Sequence, residues 1–228
     1  MCIRDSKHFV VFVHEGSRCV NVRLLRKKSE VFEKAKQFVA LAERSIGCKI
    51  IQMRTDGGGE CVSREFKSWM NDLGITWSPS TARTPEQNSL AERVIQTLTS
   101  RVRSMLAHAG LSAGHWCYAV KAAAYVLNRT KHRSIVEGKV PFELFTGRKP
   151  NLSNLFVFGT IAVSHVDKEL RSKVGLSDTG QHVRVVGYDN RHGTYVCLTR
   201  TKKEIRRRIA VWKPVSYTHL RAHETPCH

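Results

Sequence analysis

The hydrophobic and polar positions change period several times along the chain, and each change marks an element. Residues 8–13 and 18–25 alternate as strands, with Gly16 and Ser17 as the turn between them. From Ser29, an expected N-cap, the apolar positions Val31, Phe32, Ala35, Phe38, Val39, Ala42 and Ile46 recur at helical spacing up to Gly47, an expected C-terminal stop. A strand is predicted over 49–54. The turn Asp56-Gly57-Gly58-Gly59 then leads to a helix burying Phe66, Trp69, Met70 and Leu73, and to a short strand over 75–78. Thr84, Pro85 and Gln87 supply the cap, first-turn proline and capping box of a helix whose apolar stripe is Ala91, Val94, Ile95, Leu98, Val102, Met105 and Leu106. A helix over 113–128 would bury Trp116, Val120, Ala123, Ala124 and Leu127. Residues 134–155 are irregular, with Gly138, Pro141, Gly147 and Pro150, and suit a linker or strap. Strand-like runs at 156–164, 182–188, 194–198 and 205–212 then predict a small β barrel. The pattern therefore reads as an α/β domain over 7–133, a strap over 134–155 and a β module over 156–214.

Composition narrows this. At 228 residues and 41% hydrophobic content the chain has room for one or two folded domains, and no apolar run approaches the roughly 18 residues of a membrane helix. The seven cysteines (Cys2, Cys19, Cys48, Cys61, Cys117, Cys197 and Cys227) contain no CxxC pair. A disulfide framework, a disulfide-linked partner or a Cys-rich zinc module is not expected, and a reducing intracellular compartment is. His108, His115 and Cys117 match no common zinc spacing. Residues 1–6 and 215–228 resemble translated adapter sequence and are expected to be foreign tails. Without them Arg4, Arg221, Asp5 and Glu224 are lost, and the net charge of +19 is unchanged. A surplus of that size points to a polyanionic partner. Residues 79–133 and 200–213 each carry a net +6, so two blocks hold 12 of the 19 surplus charges. Arg93, Arg101 and Arg103 in the first block, and Lys202, Lys203, Arg206, Arg207 and Arg208 in the second, are the candidate phosphate contacts.

With few acids available, their positions are informative. Asp56 falls at the end of a predicted strand, where an open α/β sheet presents ligands, and Glu92 lies on a polar stripe with Asn88, Gln96, Thr99 and Arg103. A strand-end carboxylate and one on a following helix can converge on a divalent cation. Equally, Asp56 could cap the next helix, and Glu92 could pair with Arg93 or Gln96 on a solvated face.

Three segments decide between these. Thr55-Asp56-Gly57-Gly58-Gly59-Glu60, the run Pro85 through Arg93, and Pro141-Phe142-Glu143-Leu144-Phe145-Thr146-Gly147-Arg148-Lys149-Pro150 resemble, in order, motifs of the integrase segment of copia-type retrotransposon polyproteins. Leu127-Asn128-Arg129 is similar to that family as well. Residues 57 through 91 separate Asp56 from Glu92, the 35-residue interval of integrases with an Asp, Asp, Glu site. The resemblance covers about residues 7–213. It implies a ribonuclease H-like catalytic core followed by a small Src homology 3-like β barrel.

The resemblance further implies that Asp56 and Glu92 are the second and third catalytic carboxylates. They would ligate Mg²⁺ or Mn²⁺ in a two-metal site, with ions about 3.5–4 Å apart, for 3′-end processing and strand transfer. Asn88, one turn before Glu92, would face the same groove and touch DNA. The implied partners are element-end and target duplex DNA and further copies of the protein, in the nucleus of a eukaryotic host. The family's first Asp precedes residue 8, so the chain is expected to be a fragment that joins no DNA alone. Gly57 stands where the family has Asn, and Ser89 where it has Gly. The competing expectation is a catalytically dead or domesticated nucleic-acid-binding relic.

Overall fold

The computed structural model describes residues 5–55, 63–79, 89–135, 138–165, 180–189, 194–201 and 203–212. The chain divides into two compact units, Met1–Leu155 and Phe156–His228.

The first unit is mixed α/β. Its elements are β1 (His8–Val13), β2 (Val20–Leu25), α1 (Val31–Ile46), β3 (Gln52–Thr55), α2 (Arg64–Asp72), β4 (Thr76–Pro79), α3 (Ser89–His108), α4 (Trp116–Leu127) and α5 (Pro141–Thr146). The described strands form an antiparallel β1–β2 hairpin and a parallel β3–β4 pair joined through α2. Successive side chains of a strand point to opposite faces, so both faces of β1 find a partner. Phe12 stacks on Phe38 of α1 at 4.6 Å between ring centroids, while Phe9 lies 5.9 Å from Trp116 of α4. That two-sided cover is why β1 is apolar at almost every position.

α1 packs against two clusters. Ala35 and Val39 meet Phe66, Met70 and Ile75, and Phe38 and Ala42 meet Cys19 and Phe145. Gly47 closes the helix as expected, with φ 75° and its N–H donating to the Glu43 carbonyl at 2.8 Å. Ser29 is not the cap. It lies in a 3₁₀ turn, Lys28–Glu30, that precedes α1, and the Glu30 carboxylate reaches back to accept from the Arg26 N–H at 3.1 Å. α2 is capped by Ser63, whose Oγ accepts from the Phe66 N–H at 3.2 Å.

Two expected core residues are exposed. Leu73 is 43% exposed because α2 ends at Asp72 and the chain turns toward β4 at Gly74, φ 67°. Ile95 is 41% exposed because the buried stripe of α3 runs through Leu98 and Leu106, against α4 and β1. α4 departs the other way: Cys117 through Val120 and Ala122 through Ala124 are buried, so the helix is enclosed on most of its circumference. Thr84, Pro85 and Gln87 lie outside the described residues.

The segment expected as an irregular strap contains α5, with Pro141 at its start and Gly147 (φ 69°) at its end. Pro141 and Phe145 are buried. Asn128 ties this end of the unit together. Its Nδ2 donates to the Val20 carbonyl at 2.7 Å, its Oδ1 accepts from the Val20 N–H at 2.8 Å, and its own carbonyl accepts from the Phe142 N–H at 2.8 Å. Near the N-terminus, Ser6 is buried and Asp5 pairs with Arg26 at 3.2 Å, so residues expected as a foreign tail make contacts within the unit.

The second unit holds β5 (Ile161–His165), β6 (Gly180–Tyr188), β7 (Tyr195–Thr199), β8 (Glu204–Arg207) and β9 (Ile209–Trp212) in one antiparallel sheet of order β8-β7-β6-β5-β9. The run predicted over 205–212 is thus two strands, broken at Arg208. Ala162, Val183, Val185, Tyr195 and Cys197 form the core, with Phe156, Tyr188, Ile205 and Ile209 against it. The Tyr188 hydroxyl donates to the Phe156 carbonyl at 3.2 Å while the two rings pack at 4.4 Å. At the β6 bulge, Gly187 opposes Val196 so closely that a Cβ would sit 3.2 Å from the valine's own Cβ.

Candidate active site and nucleic-acid interface

β3 runs to Thr55, the residue before Asp56. Asp56 itself, Asn88 and Lys202 lie outside the described residues. The helix cap that Asp56 could have supplied is filled by Ser63. Glu92 sits in the first turn of α3 and is exposed. Among the described residues it has no hydrogen-bond or ion-pair partner, so neither Arg93 nor Gln96 neutralises it.

Helical geometry sorts the neighbouring basic residues. At about 100° per residue, Glu92, Gln96 and Arg103 fall within about 40° of one another, and Arg103 lies about 16 Å along the axis from Glu92. Gln96 and Arg103 are exposed, giving one polar stripe opposite the Leu98 side of the helix. Arg93 is exposed on the flank of this stripe. Arg101 is half-buried and turned about 160° from Arg103, so it does not share the stripe.

In the second unit, Lys203 and Arg208 are exposed. Arg206 is engaged within the module: it pairs with Glu204 at 3.0 Å and Asp189 at 3.4 Å. Surface pairs of this kind are worth only about 0–1 kcal/mol, so a phosphate could compete for the guanidinium. Arg207 points the other way along β8, and its Nε is buried.

Burial pushes the Cys19 and Cys197 thiols up to about 12, far from the thiolate range, and Cys117 is buried. Burial also lowers the pKa of His14, whose Nδ1 is 2.8 Å from the Ser17 hydroxyl in the β1–β2 turn. Among the described residues, no three His, Cys, Asp or Glu side chains are grouped to hold a metal ion. No described helix is long and apolar enough to cross a membrane.

No family model matches the chain. Among curated proteins, it is 36% identical over 209 residues to the Retrovirus-related Pol polyprotein from transposon TNT 1-94 of Nicotiana tabacum, an alignment covering 91% of this chain and 16% of that protein. It is 28% identical over 198 residues to the corresponding polyprotein from transposon RE2 of Arabidopsis thaliana, covering 87% of this chain and 13% of the relative. For transposon RE1 of the same plant the figures are 29% over 194 residues, 85% and 13%. The chain thus spans about a sixth or less of the length of these relatives.

Similar solved structures include the simian T-cell lymphotropic virus intasome in complex with PP2A regulatory subunit B56 gamma (TM-score 0.48, 16% identity, 90% of this chain and 71% of that one). They also include the catalytic core domain of BIV integrase (0.44, 20%, 60% and 84%). A third is the HTLV-2 integrase catalytic core domain in complex with magnesium, dimeric form (0.43, 21%, 60% and 83%). By sequence relationship across nine-tenths of its length, the chain is a segment of the copia-type, retrovirus-related Pol polyprotein family.

Proposed function

We propose that the chain comes from the integrase portion of such a polyprotein, the polynucleotidyl transferase that processes the 3′ ends of the element's DNA and joins them to target DNA, and that it supplies two of the three catalytic carboxylates. One observation carries this: Glu92 is an exposed carboxylate on α3 that has no partner among the described residues, with Gln96 and Arg103 in line behind it. It stands in the motif, and at the interval from Asp56, that the family resemblance assigns to the third catalytic acid.

Asp56 and Glu92 would hold Mg²⁺ or Mn²⁺, because hard divalent ions prefer anionic oxygen ligands. When bound, the metal supplies activation of an attacking hydroxyl and charge neutralisation at phosphorus. Arg103 and Arg93 would place a phosphate backbone along α3, and Asn88 would contact the same strand. The core reading is ribonuclease H-like, supported by the succession of hairpin, α1, parallel β3–α2–β4 unit and α3. The second unit reads as a small Src homology 3-like barrel, supported by its strand order and by the single residue dividing β8 from β9. Its Lys203 and Arg208 would add phosphate contacts without base specificity. The partners in this reading are element-end and target duplex DNA and further copies of the protein, and the site of action is the nucleus of the host.

Mn²⁺ binding followed by electron paramagnetic resonance tests the ligand pair. Binding is expected in the unaltered chain and should be lost in both Asp56→Asn and Glu92→Gln. Binding that survives both changes would remove these residues from the metal site and leave the basic nucleic-acid-binding relic as the better reading.

A further inference from the structure

We propose that the recess between α2 and β4 is a stacking site for an unpaired nucleotide. The proposal rests on the reading of the chain as a nucleic-acid-binding protein, but not on its joining activity. The recess has a volume of about 570 Å³ and is lined by Lys67, Asn71, Gly74, Ile75, Thr76 and Trp77. Its chemistry is an aromatic face, a cation and a primary amide within one open hollow.

Trp77 is half-buried, and part of its ring packs against the cluster of Phe66, Met70 and Ile75. Its indole N–H donates to the Thr55 hydroxyl at 3.0 Å, so the ring is held at both its apolar body and its polar edge. A ring fixed in this way loses little freedom when a ligand settles on it. The Lys67 ammonium lies 5.0 Å from the ring centroid, and Asn71, one turn further along α2, is exposed on the same side.

A base stacked on an aromatic ring is held more strongly than an ammonium over an exposed one. An arriving base would therefore displace Lys67 from the ring and leave its charge free for the nucleotide's own phosphate. The Asn71 amide can donate and accept at a base edge. Paired bases in a duplex cannot offer a face to a side chain in a surface recess, so the occupant is an unpaired nucleotide, at a strand end or overhang. Thr55, which fixes the ring, is also the residue before Asp56.

Fluorescence polarisation of the full chain with a blunt duplex and with the same duplex carrying a short thymidine overhang tests this. The overhang is expected to improve affinity on the order of tenfold, the size of one base stacked on an aromatic ring. That gain should vanish in Trp77→Leu, persist in Trp77→Phe and shrink in Lys67→Gln, with blunt-duplex affinity unchanged throughout. Equal affinity for the two probes in the unaltered chain would overturn the proposal while leaving the duplex reading intact; absence of binding to either would overturn both. Should Trp77→Leu fail to fold, photocrosslinking of the unaltered chain to an overhang containing 5-iodouracil decides the matter. A crosslink at Trp77 supports the site, and crosslinks only elsewhere refute it.

Discussion

Asn128 offers the sharpest test of how the first unit is held together. Its side-chain amide does the work of a neighbouring strand, giving Val20 both an acceptor and a donor, at 2.8 and 2.7 Å, across 108 residues of chain. Val20 is 3% exposed, so water cannot readily replace either bond. Asn128→Ala removes two hydrogen bonds and strands a backbone N–H and C=O, which should cost about 2–4 kcal/mol. For a unit of this size that corresponds to a fall in Tm of about 5–15 °C. Amide exchange at Val20 should accelerate selectively, since the β1–β2 ladder on its other side is untouched. Asn128→Asp adds a pH signature. Its carboxylate would face the Val20 carbonyl, raising the folded-state pKa above the unfolded value of about 3.9. The variant's stability should then be greatest below about pH 4 and fall as pH rises through the raised folded value. A loss in Asn128→Ala below about 0.5 kcal/mol, the range of ordinary surface changes, would show that the clasp is not a structural element.

Glu43 is held below the usual carboxylate range, first by the Ile50 N–H it accepts at 3.1 Å and also by Lys49 at 3.3 Å, against a smaller opposing effect of desolvation. Its contribution is present above the unfolded carboxylate pKa and is lost as pH falls through the lower folded value. Urea midpoints of the unaltered protein and Glu43→Gln should therefore differ at neutral pH and converge in acid; parallel curves would contradict this. Phe66 is 1% exposed between the rings of Phe32 and Trp69, each at 5.7 Å, and Phe66→Ala should cost about 3–5 kcal/mol in equilibrium unfolding. Arg103→Gln should lower the slope of log duplex affinity against log salt by about 1, whereas Arg101→Gln, off the stripe, should change it less. Equal slopes for these two variants would remove the α3 stripe from the interface.

Much of the secondary structure was legible in the sequence. Strand alternation in HFVVFV, the helical recurrence from Val31 to Ile46 and the glycine stop at Gly47 follow from backbone geometry, which acts within a few residues. The acids at positions 56 and 92, and the motifs around them, could likewise be read directly, because motif and interval are properties of the chain. Other features had no local signal. Nothing near Leu127-Asn128-Arg129 tells that the amide closes on Val20, that Arg129 lies over the rings of Tyr125 and Phe142, or that the following segment winds into α5 and buries Phe145. Ser63 rather than Asp56 caps α2 because the helix begins only at Arg64.

By itself the sequence determined which residues alternate, where helices stop, the order of the motifs and the excess of positive charge. Tertiary structure alone decided that Ile95 faces solvent while α4 is enclosed, that Arg206 is met by Asp189 and Glu204, and that Trp77 and Lys67 share one recess. The physical reason is range. Periodicity and capping are set by the covalent backbone over one or two turns, whereas burial, ion pairing and the meeting of side chains depend on which distant segments are brought within a few ångströms.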